Sequence, residues 1–343
     1  MQNYFSELEQ CYLIAEIGVN HNGDMNLACQ MIDAAKHAGA DAVKFQTFTA
    51  NTLVSEGTPK VLYQENTTSP DESHYEMIRK LELKRKDHNL LLEYCVSKEI
   101  DFLSTPYDVD SAKFLNDLGV DVFKTASADL VDSPLQQYLA DTKKPVIVSV
   151  GMATLGEVES AVDLYRKAKN NHIILLHCVS NYPCAEESLN LRVMKTLEQA
   201  FQVPVGYSDH SIGAESAILS IAFGAKVIEK HFTLDKNLPG PDHKASSTPE
   251  EFACLVKSVR KAEKMLGSPI KQCQLEEKQM SQVSRKSLVL AQDILAGDVF
   301  TLNHLTLKRP GTGLNSNYLE WFVGRKSTKD NPSGKLLNFS DAT

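Results

Sequence analysis

Short apolar runs rich in β-branched residues alternate along this chain with segments whose apolar positions recur every three or four residues. Strands are predicted at Tyr12–Ile17, Ala42–Phe45, Phe102–Ser104, Val120–Lys124, Pro145–Val150, Ile173–Cys178, Val203–Tyr207 and Val227–Glu229. Helices are predicted between and after them at Met25–Ala38, Asp87–Ser97, Asp110–Leu118, Leu135–Ala140, Leu155–Lys169, Leu191–Ala200, Ala214–Phe223 and Pro249–Leu266. Ser133 and Thr248 stand as N-caps before Pro134 and Pro249, and Glu250 and Glu251 suit the positive end of the last helix. A long polar connection from Thr47 to Glu72 interrupts the rhythm once.

Eight strand and helix pairs within about 255 residues are the count and length of a (β/α)8 TIM barrel. An open doubly wound sheet competes with it, but no G-x-G-x-x-G follows the first strand. Residues 1–267 are therefore read as the barrel, and 268–284 as a polar linker with some helix. From Arg285 the texture is of short strands and turns, at Ser287–Ala291, Val299–Thr301 and Leu305–Arg309, with a break at Pro310–Gly313. About 59 residues are marginal for an independent core, so this small β-rich domain, 285–343, should lean on another surface.

Composition narrows the classes. A net charge of −8 argues against a general nucleic-acid or anionic-membrane binder. Seven cysteines without a C-x-x-C spacing speak against a disulfide framework or structural zinc and for a reducing cytoplasm. The polar N-terminus and the lack of a membrane-length apolar run give the expectation of a soluble, unprocessed protein.

In a barrel the chemistry sits at the C-terminal ends of the strands. Those ends read Glu16, Asn20 and His21; Lys44 and Gln46; Ser104 and Thr105; Lys124 and Ser127; Ser149 and Gly151; His177 and Ser180; Ser208 to His210; and Glu229 to His231. Two lysines and several hydroxyls suit a phosphate or carboxylate. His210 and His231 close consecutive strands, so their rings fit either a pair of metal ligands or hydrogen-bonded core histidines. Alternation along each strand sends some of these side chains outward to the helices. Lys44 or Lys124 would also serve a Schiff-base lyase, although such an enzyme does not require paired histidines. The loop LPGPDHKAS, Leu238–Ser246, is either a surface turn or a substrate-gripping segment over the mouth. Arg309, before the glycine-rich break, is either a solvated charge or the tip of an arm that grips a carboxylate. A non-catalytic carbohydrate-binding protein is the remaining alternative.

The segments IAEIGVNHNGD, DAVKFQTF, FLSTPYD, VFKTAS, VSVGMAT, LLHCVSNYP, VGYSDHSIGAE, VIEKHFTLDKNLPGPDHKAS, RKSLVLAQDI and LKRPGTG resemble the sialic acid synthases over almost the whole chain. The resemblance implies a barrel with a C-terminal antifreeze-like (SAF) domain. It implies condensation of phosphoenolpyruvate with an N-acetylmannosamine-type sugar to an N-acetylneuraminate- or legionaminate-type acid, by metal-assisted attack on the open-chain aldehyde and C–O cleavage. The pseudaminate branch shares most segments, although GPDHKAS looks less like it. By the same resemblance His210 and His231 hold a divalent metal, Mn2+ with Mg2+ or Co2+ as alternatives. Lys44, Thr105, Lys124, Ser127, Ser149, Ser180 and Ser208 match positions around phosphoenolpyruvate, and Glu16, Gln46, Asp129, Tyr182 and Asp242 match positions near the sugar. Arg309 matches an arginine inserted into the partner barrel of a domain-swapped homodimer, and Glu16, Lys44, Lys124, Asp242 and Arg309 are the expected catalytic set. Three positions depart from the family pattern: Asp129 replaces a Glu, Val150 a Thr, and Ser180 an Asn found in some members.

Overall fold

The computed structural model describes residues 3–55, 57–65, 67–69 and 71–343. Residues 56, 66 and 70 of the Thr47–Glu72 connection lie outside the described residues. The chain divides into two compact units, Met1–Gly267 and Ser268–Thr343.

The first unit carries eight parallel strands: β1 Tyr12–Gly18, β2 Ala42–Thr47, β3 Asp101–Pro106, β4 Phe123–Thr125, β5 Val146–Ser149, β6 Ile173–His177, β7 Val205–Asp209 and β8 Ala225–His231. They run in the order β3-β2-β1-β8-β7-β6-β5-β4, and β3 packs beside β4 where the ring closes. This is a (β/α)8 barrel. The helices after the successive strands are α1 Met25–His37, then α2 Ala50–Leu53, α3 Leu62–Glu65, α4 His74–Lys80 and α5 Arg85–Ser97 after β2. They continue with α6 Val109–Leu118, α7 Ser133–Thr142, α8 Leu155–Lys167, α9 Val193–Phe201, α10 Glu215–Ala222 and α11 Pro249–Leu266.

Local chemistry explains most boundaries. Asp24 opens α1 by accepting from the amides of Asn26 and Leu27, and Ala28, Met31, Ile32 and Ala35 then recur on the buried face. Thr154 with Glu157, and Thr248 with Glu251, form capping boxes that start α8 and α11. The cap of α7 is Asp132 rather than Ser133: its carboxylate accepts from Leu135 N, and Ser133 is already helical. Strand β4 starts later than its apolar run because Val120 N–H is taken by Leu115 O, closing α6 through the left-handed Gly119. The polar connection after β2 contains α2 and α3, and α4 follows it, started by a Ser73–Glu76 capping box.

Two alternating faces organise the barrel. Residues such as Leu13, Ala15 and Ile17 point outward and pack with Met31 and Ile32 in the main core. Ile14, Ala42, Leu103, Ile147, Ile174, Leu176 and Val227 point inward and fill the lower interior together with Phe5. One step of two residues along the same strands turns this apolar layer into Glu16, Lys44, Thr105, Ser149 and Glu229. Gly206 belongs to the apolar layer, and a Cβ there would lie 2.4 Å from Leu176 Cδ2 and 2.5 Å from Val227 O.

In the second unit, α12 Lys278–Ser284 precedes an antiparallel pair, β9 Ser287–Leu290 and β10 Leu305–Lys308, and α13 Leu319–Phe322 follows. Leu288, Leu290, Ile294, Phe300, Leu305, Phe322 and Leu337 form its core. The strand expected at Val299–Thr301 is reduced to an isolated bridge from Val299 to Lys326. Among the described residues no helix is long and apolar enough to cross a membrane.

Candidate active site

A cavity of about 500 Å³ opens at the C-terminal ends of the strands. Strand register sets its floor, because Glu16 on β1 pairs with Lys44 on one side and His231 on the other, and Ser208 pairs with Glu229. Lys44 Nζ lies 2.7 Å from Glu16 Oε2, 3.0 Å from Thr105 Oγ1 and 3.6 Å from Glu229 Oε2. Lys124 Nζ donates to Ser149 Oγ at 2.6 Å and to Thr125 O at 2.9 Å, and stands 3.6 Å from Glu229 Oε1. Ser208 Oγ donates to Glu229 Oε1 at 2.9 Å. All four charged groups are buried, so Glu229 is the shared counter-charge of two ammonium groups.

The environment pulls these groups apart in acidity. Burial pushes the Glu16 carboxyl above the usual range against the pull of Lys44, and repulsion from Glu229 adds to the rise. Burial also works against ionised Glu229, but Lys124 and Lys44 outweigh it and hold that carboxyl below the usual range. Lys44 is kept above an ordinary lysine, since Glu16 and Glu229 outweigh its desolvation. Lys124 falls below, because burial is only partly offset by Glu229. The difference follows the geometry: Lys44 touches a carboxylate, whereas Lys124 touches a hydroxyl and a carbonyl.

Above the floor, the rings of His210 and His231 have centroids 5.6 Å apart, and Tyr182 packs on both at 4.2 and 5.5 Å. Burial lowers both imidazoles below their ordinary pKa, against the Val179 hydrogen bond and Glu229 at His210, and His231 falls to about 3 with further repulsion from His210. His210 Nδ1 donates to Val179 O at 2.8 Å, which leaves Nε2 as the lone-pair nitrogen, 3.4 Å from a Ser208 hydroxyl that donates to Glu229. His231 Nδ1 is buried without a hydrogen-bond partner and lies 4.0 Å from Asp242 Oδ2. Two neutral rings, one with an orphaned nitrogen, fit a divalent cation. Among the described residues no group of three or more His, Cys, Asp or Glu side chains is spaced to enclose one. A cation held here would complete its shell with water or substrate oxygens.

Glu16, Lys44, Gln46, Thr105, Lys124, Ser127, Ser149, Ser180, Tyr182, Ser208, His210, His231 and Asp242 all line the cavity. Gly151 brings two of them together: its amide donates to Ser127 Oγ at 3.0 Å, and a Cβ there would lie 2.6 Å from Ser180 Oγ. Asp129 is not among the lining residues. Its backbone carbonyl accepts from Gln136, and burial pushes its carboxyl up to about 7. Arg309 lies in the second unit, exposed just past β10.

Several polar strand ends serve the scaffold instead. Asn20 donates to Phe232 O and Ser246 Oγ, Ser104 pairs with Thr47, and His177 donates to Leu189 O. From the loop 238–246, Pro241 and Asp242 line the cavity, while His243 turns away to Thr233 Oγ1. Glu229 was visible in the sequence only as a strand end. Its position two residues before His231, on the same face of β8, was the signal for a role in the site.

A closed β/α barrel with two buried ammonium groups on the floor of its cavity and an imidazole pair above them has the arrangement of a barrel enzyme's active site. The chain belongs to the NeuB family, which matches residues 31–271. It is 43% identical over 332 residues to the N,N'-diacetyllegionaminic acid synthase of Campylobacter jejuni, covering 96% of this chain and 99% of that one. It is 44% identical over 331 residues to the enzyme of the same name from Legionella pneumophila, covering 95% and 93%. The crystal structure of N-acetylneuraminic acid synthetase from Leptospira borgpetersenii, in complex with citrate, superposes with a TM-score of 0.72 at 38% identity, covering 79% of this chain and 90% of that one.

Proposed function

We propose that the protein condenses phosphoenolpyruvate with the open-chain form of an N-acetylmannosamine-type amino sugar, with water, to give a nine-carbon sialic acid and phosphate. The product is of the N-acetylneuraminate or legionaminate type. The supporting observation is the joint burial of Lys44 and Lys124 beneath two neutral imidazoles in one cavity.

An enol phosphate that also carries a carboxylate needs cationic donors on more than one side. Lys44 with Thr105, and Lys124 with Ser127, Ser149, Ser180 and Ser208, offer ammonium and hydroxyl donors in a desolvated setting. Glu16, Gln46, Tyr182 and Asp242 share the cavity and would orient the acceptor. In the reaction the enol methylene carbon bonds to the aldehyde carbon, and the aldehyde oxygen takes a proton. Water then adds at the enol carbon and gives up a proton, and the bond from that carbon to the bridging oxygen breaks, its electron pair leaving with phosphate. Burial keeps Glu16 above the usual range and pushes Asp242 up to about 6, so either carboxyl holds a proton for the aldehyde oxygen closer to neutral pH than an ordinary acid.

His210 and His231 would hold the divalent cation, Mn2+ first and Mg2+ or Co2+ as alternatives. When bound, it supplies Lewis-acid polarisation of the acceptor carbonyl. On the same reading the second unit is the antifreeze-like module, and Arg309 reaches into the barrel of a partner subunit in a domain-swapped homodimer. Phosphate release that requires both phosphoenolpyruvate and an amino sugar tests the proposal. Release without a sugar, or none with any sugar, would contradict it. A pseudaminate-type reaction separates from this reading by the acceptor configuration that supports turnover.

A further inference from the structure

Three strands that pair side by side, β4, β5 and β6, bring their C-terminal ends together at one oxygen. Ser127 Oγ, just past β4, accepts from the Gly151 amide past β5 at 3.0 Å, and Cys178 Sγ past β6 lies 3.0 Å from it. Gly151 permits this convergence. A Cβ there would lie 2.8 Å from Ser127 Oγ, 2.9 Å from Cys178 Sγ and 2.6 Å from Ser180 Oγ, so a side chain would push the three apart. Ser127, Cys178 and Ser180 all line the cavity, and the thiol is buried.

A serine hydroxyl has one proton to donate and two lone pairs that accept. At Ser127 the Gly151 amide takes one lone pair. The other pair and the proton are divided between Cys178 and the cavity. Were Ser127 to donate to the sulfur, its remaining lone pair would face the cavity and repel an anion there. When the thiol donates instead, both lone pairs are filled and the hydroxyl proton is left for the cavity, where a bond to an anion is roughly twice as strong as a neutral one. The thiol has that proton to give: burial, with Glu229 adding to it, holds Cys178 above its ordinary pKa and outweighs Ser127, Lys124 and the Gly151 amide.

We infer that Cys178 is a positioning residue, whose thiol donates to Ser127 Oγ and so fixes the Ser127 hydroxyl as a donor to an anion in the cavity. This rests on the synthase reading above for the identity of the anion, phosphoenolpyruvate. Cys178 itself need not touch it.

Isothermal titration calorimetry with phosphoenolpyruvate alone tests this without turnover. Cys178→Ala should weaken binding by about 3- to 10-fold, the worth of one net hydrogen bond. Cys178→Ser should stay within about twofold of wild type, because a hydroxyl supplies the same donor. On a Ser127→Ala background, Cys178→Ala should cost less than about twofold, since the group it orients is gone. An equal loss on both backgrounds, or a Cys178→Ser protein as weak as Cys178→Ala, would mean that the thiol only fills space and would overturn the inference, leaving the synthase reading intact. Binding of phosphoenolpyruvate without phosphate release on any amino sugar would overturn the synthase reading, while the same cycle still decides the role of Cys178. No binding of phosphoenolpyruvate to the wild-type protein would overturn both.

Discussion

The ε-ammonium of Lys230 lies 2.6 Å from Oδ2 of Asp209, and the pair is buried on the outer faces of β8 and β7. Each residue immediately precedes a cavity histidine, His231 or His210. Lys230 also donates to Ser211 O, and Asp209 Oδ1 accepts from the amide and hydroxyl of Ser211. The ion pair thus ties the two strand ends together where the imidazoles project inward.

Removing one partner leaves a buried charge alone, which costs about 3–5 kcal/mol. Asp209→Asn should therefore lower the free energy of unfolding by roughly that amount in urea titration. Asp209→Leu combined with Lys230→Leu should cost less than the sum of the single changes. Additive losses would show that the pair does not act as a unit.

Lys124→Met removes a charge-assisted donor from the floor without changing the fold of β4. The KM for phosphoenolpyruvate should rise by about 10- to 100-fold, the equivalent of roughly 1.5–3 kcal/mol. The KM for the sugar should move far less in the same steady-state measurements.

His210→Ala or His231→Ala should abolish binding of one Mn2+ per chain, read by electron paramagnetic resonance of free Mn2+. Chelated wild-type protein should regain turnover on readdition of Mn2+, and neither variant should. Retention of near wild-type turnover by either would remove the metal role from this pair.

Acid stability follows from two other histidines. Burial, with His88 adding to it, lowers His21 to about 4, and burial lowers His243 to about 4. In the unfolded chain each titrates near about 6.5. Both are neutral in the fold, so the unfolded state binds protons first as pH falls. Their stabilisation is complete above about pH 6.5 and is lost progressively down to about pH 4. Glu16, Asp129 and Asp242, with raised carboxyl pKa values, work in the opposite direction as pH falls, so the contribution of His21 is read as a difference: the urea midpoint of the wild-type protein should fall relative to that of His21→Gln between about pH 6.5 and 4.

The barrel was legible because β-branched runs and helical periodicity report burial on one or two faces, and α11 could be bounded to the residue by Thr248, Pro249 and Gly267. Lys44, Lys124, His210 and His231 were legible because polar groups closing apolar strands are costly without a ligand. The helices α2 to α4 were not, since each is short, and Leu53 of α2 and Met77 and Ile78 of α4 line the cavity and pack in a small cluster apart from the main core. Alternation also hid which strand ends face inward: Asp209 and Lys230 read in sequence as strand ends no different from their neighbours, and register turns them outward. Glu229 lacked a visible partner until the ring brought β2 and β4 to either side of it.

Lys124 is the floor lysine with the lowered pKa, so it is the residue a Schiff-base mechanism would use. Borohydride treatment with pyruvate should give no adduct at Lys124 by peptide mass, because Glu229, Ser149 and Thr125 hold the ammonium as an anion site. A trapped adduct would favour a lyase.

An enol phosphate clamped on this floor is expected to lose its phosphate by breaking the carbon–oxygen bond. Phosphoenolpyruvate carrying oxygen-18 in the bridging position, turned over with the sugar acceptor, measures this directly. The label is expected in the released phosphate. Label retained in the sugar acid, before exchange with water, would mean phosphorus–oxygen cleavage and would contradict the account.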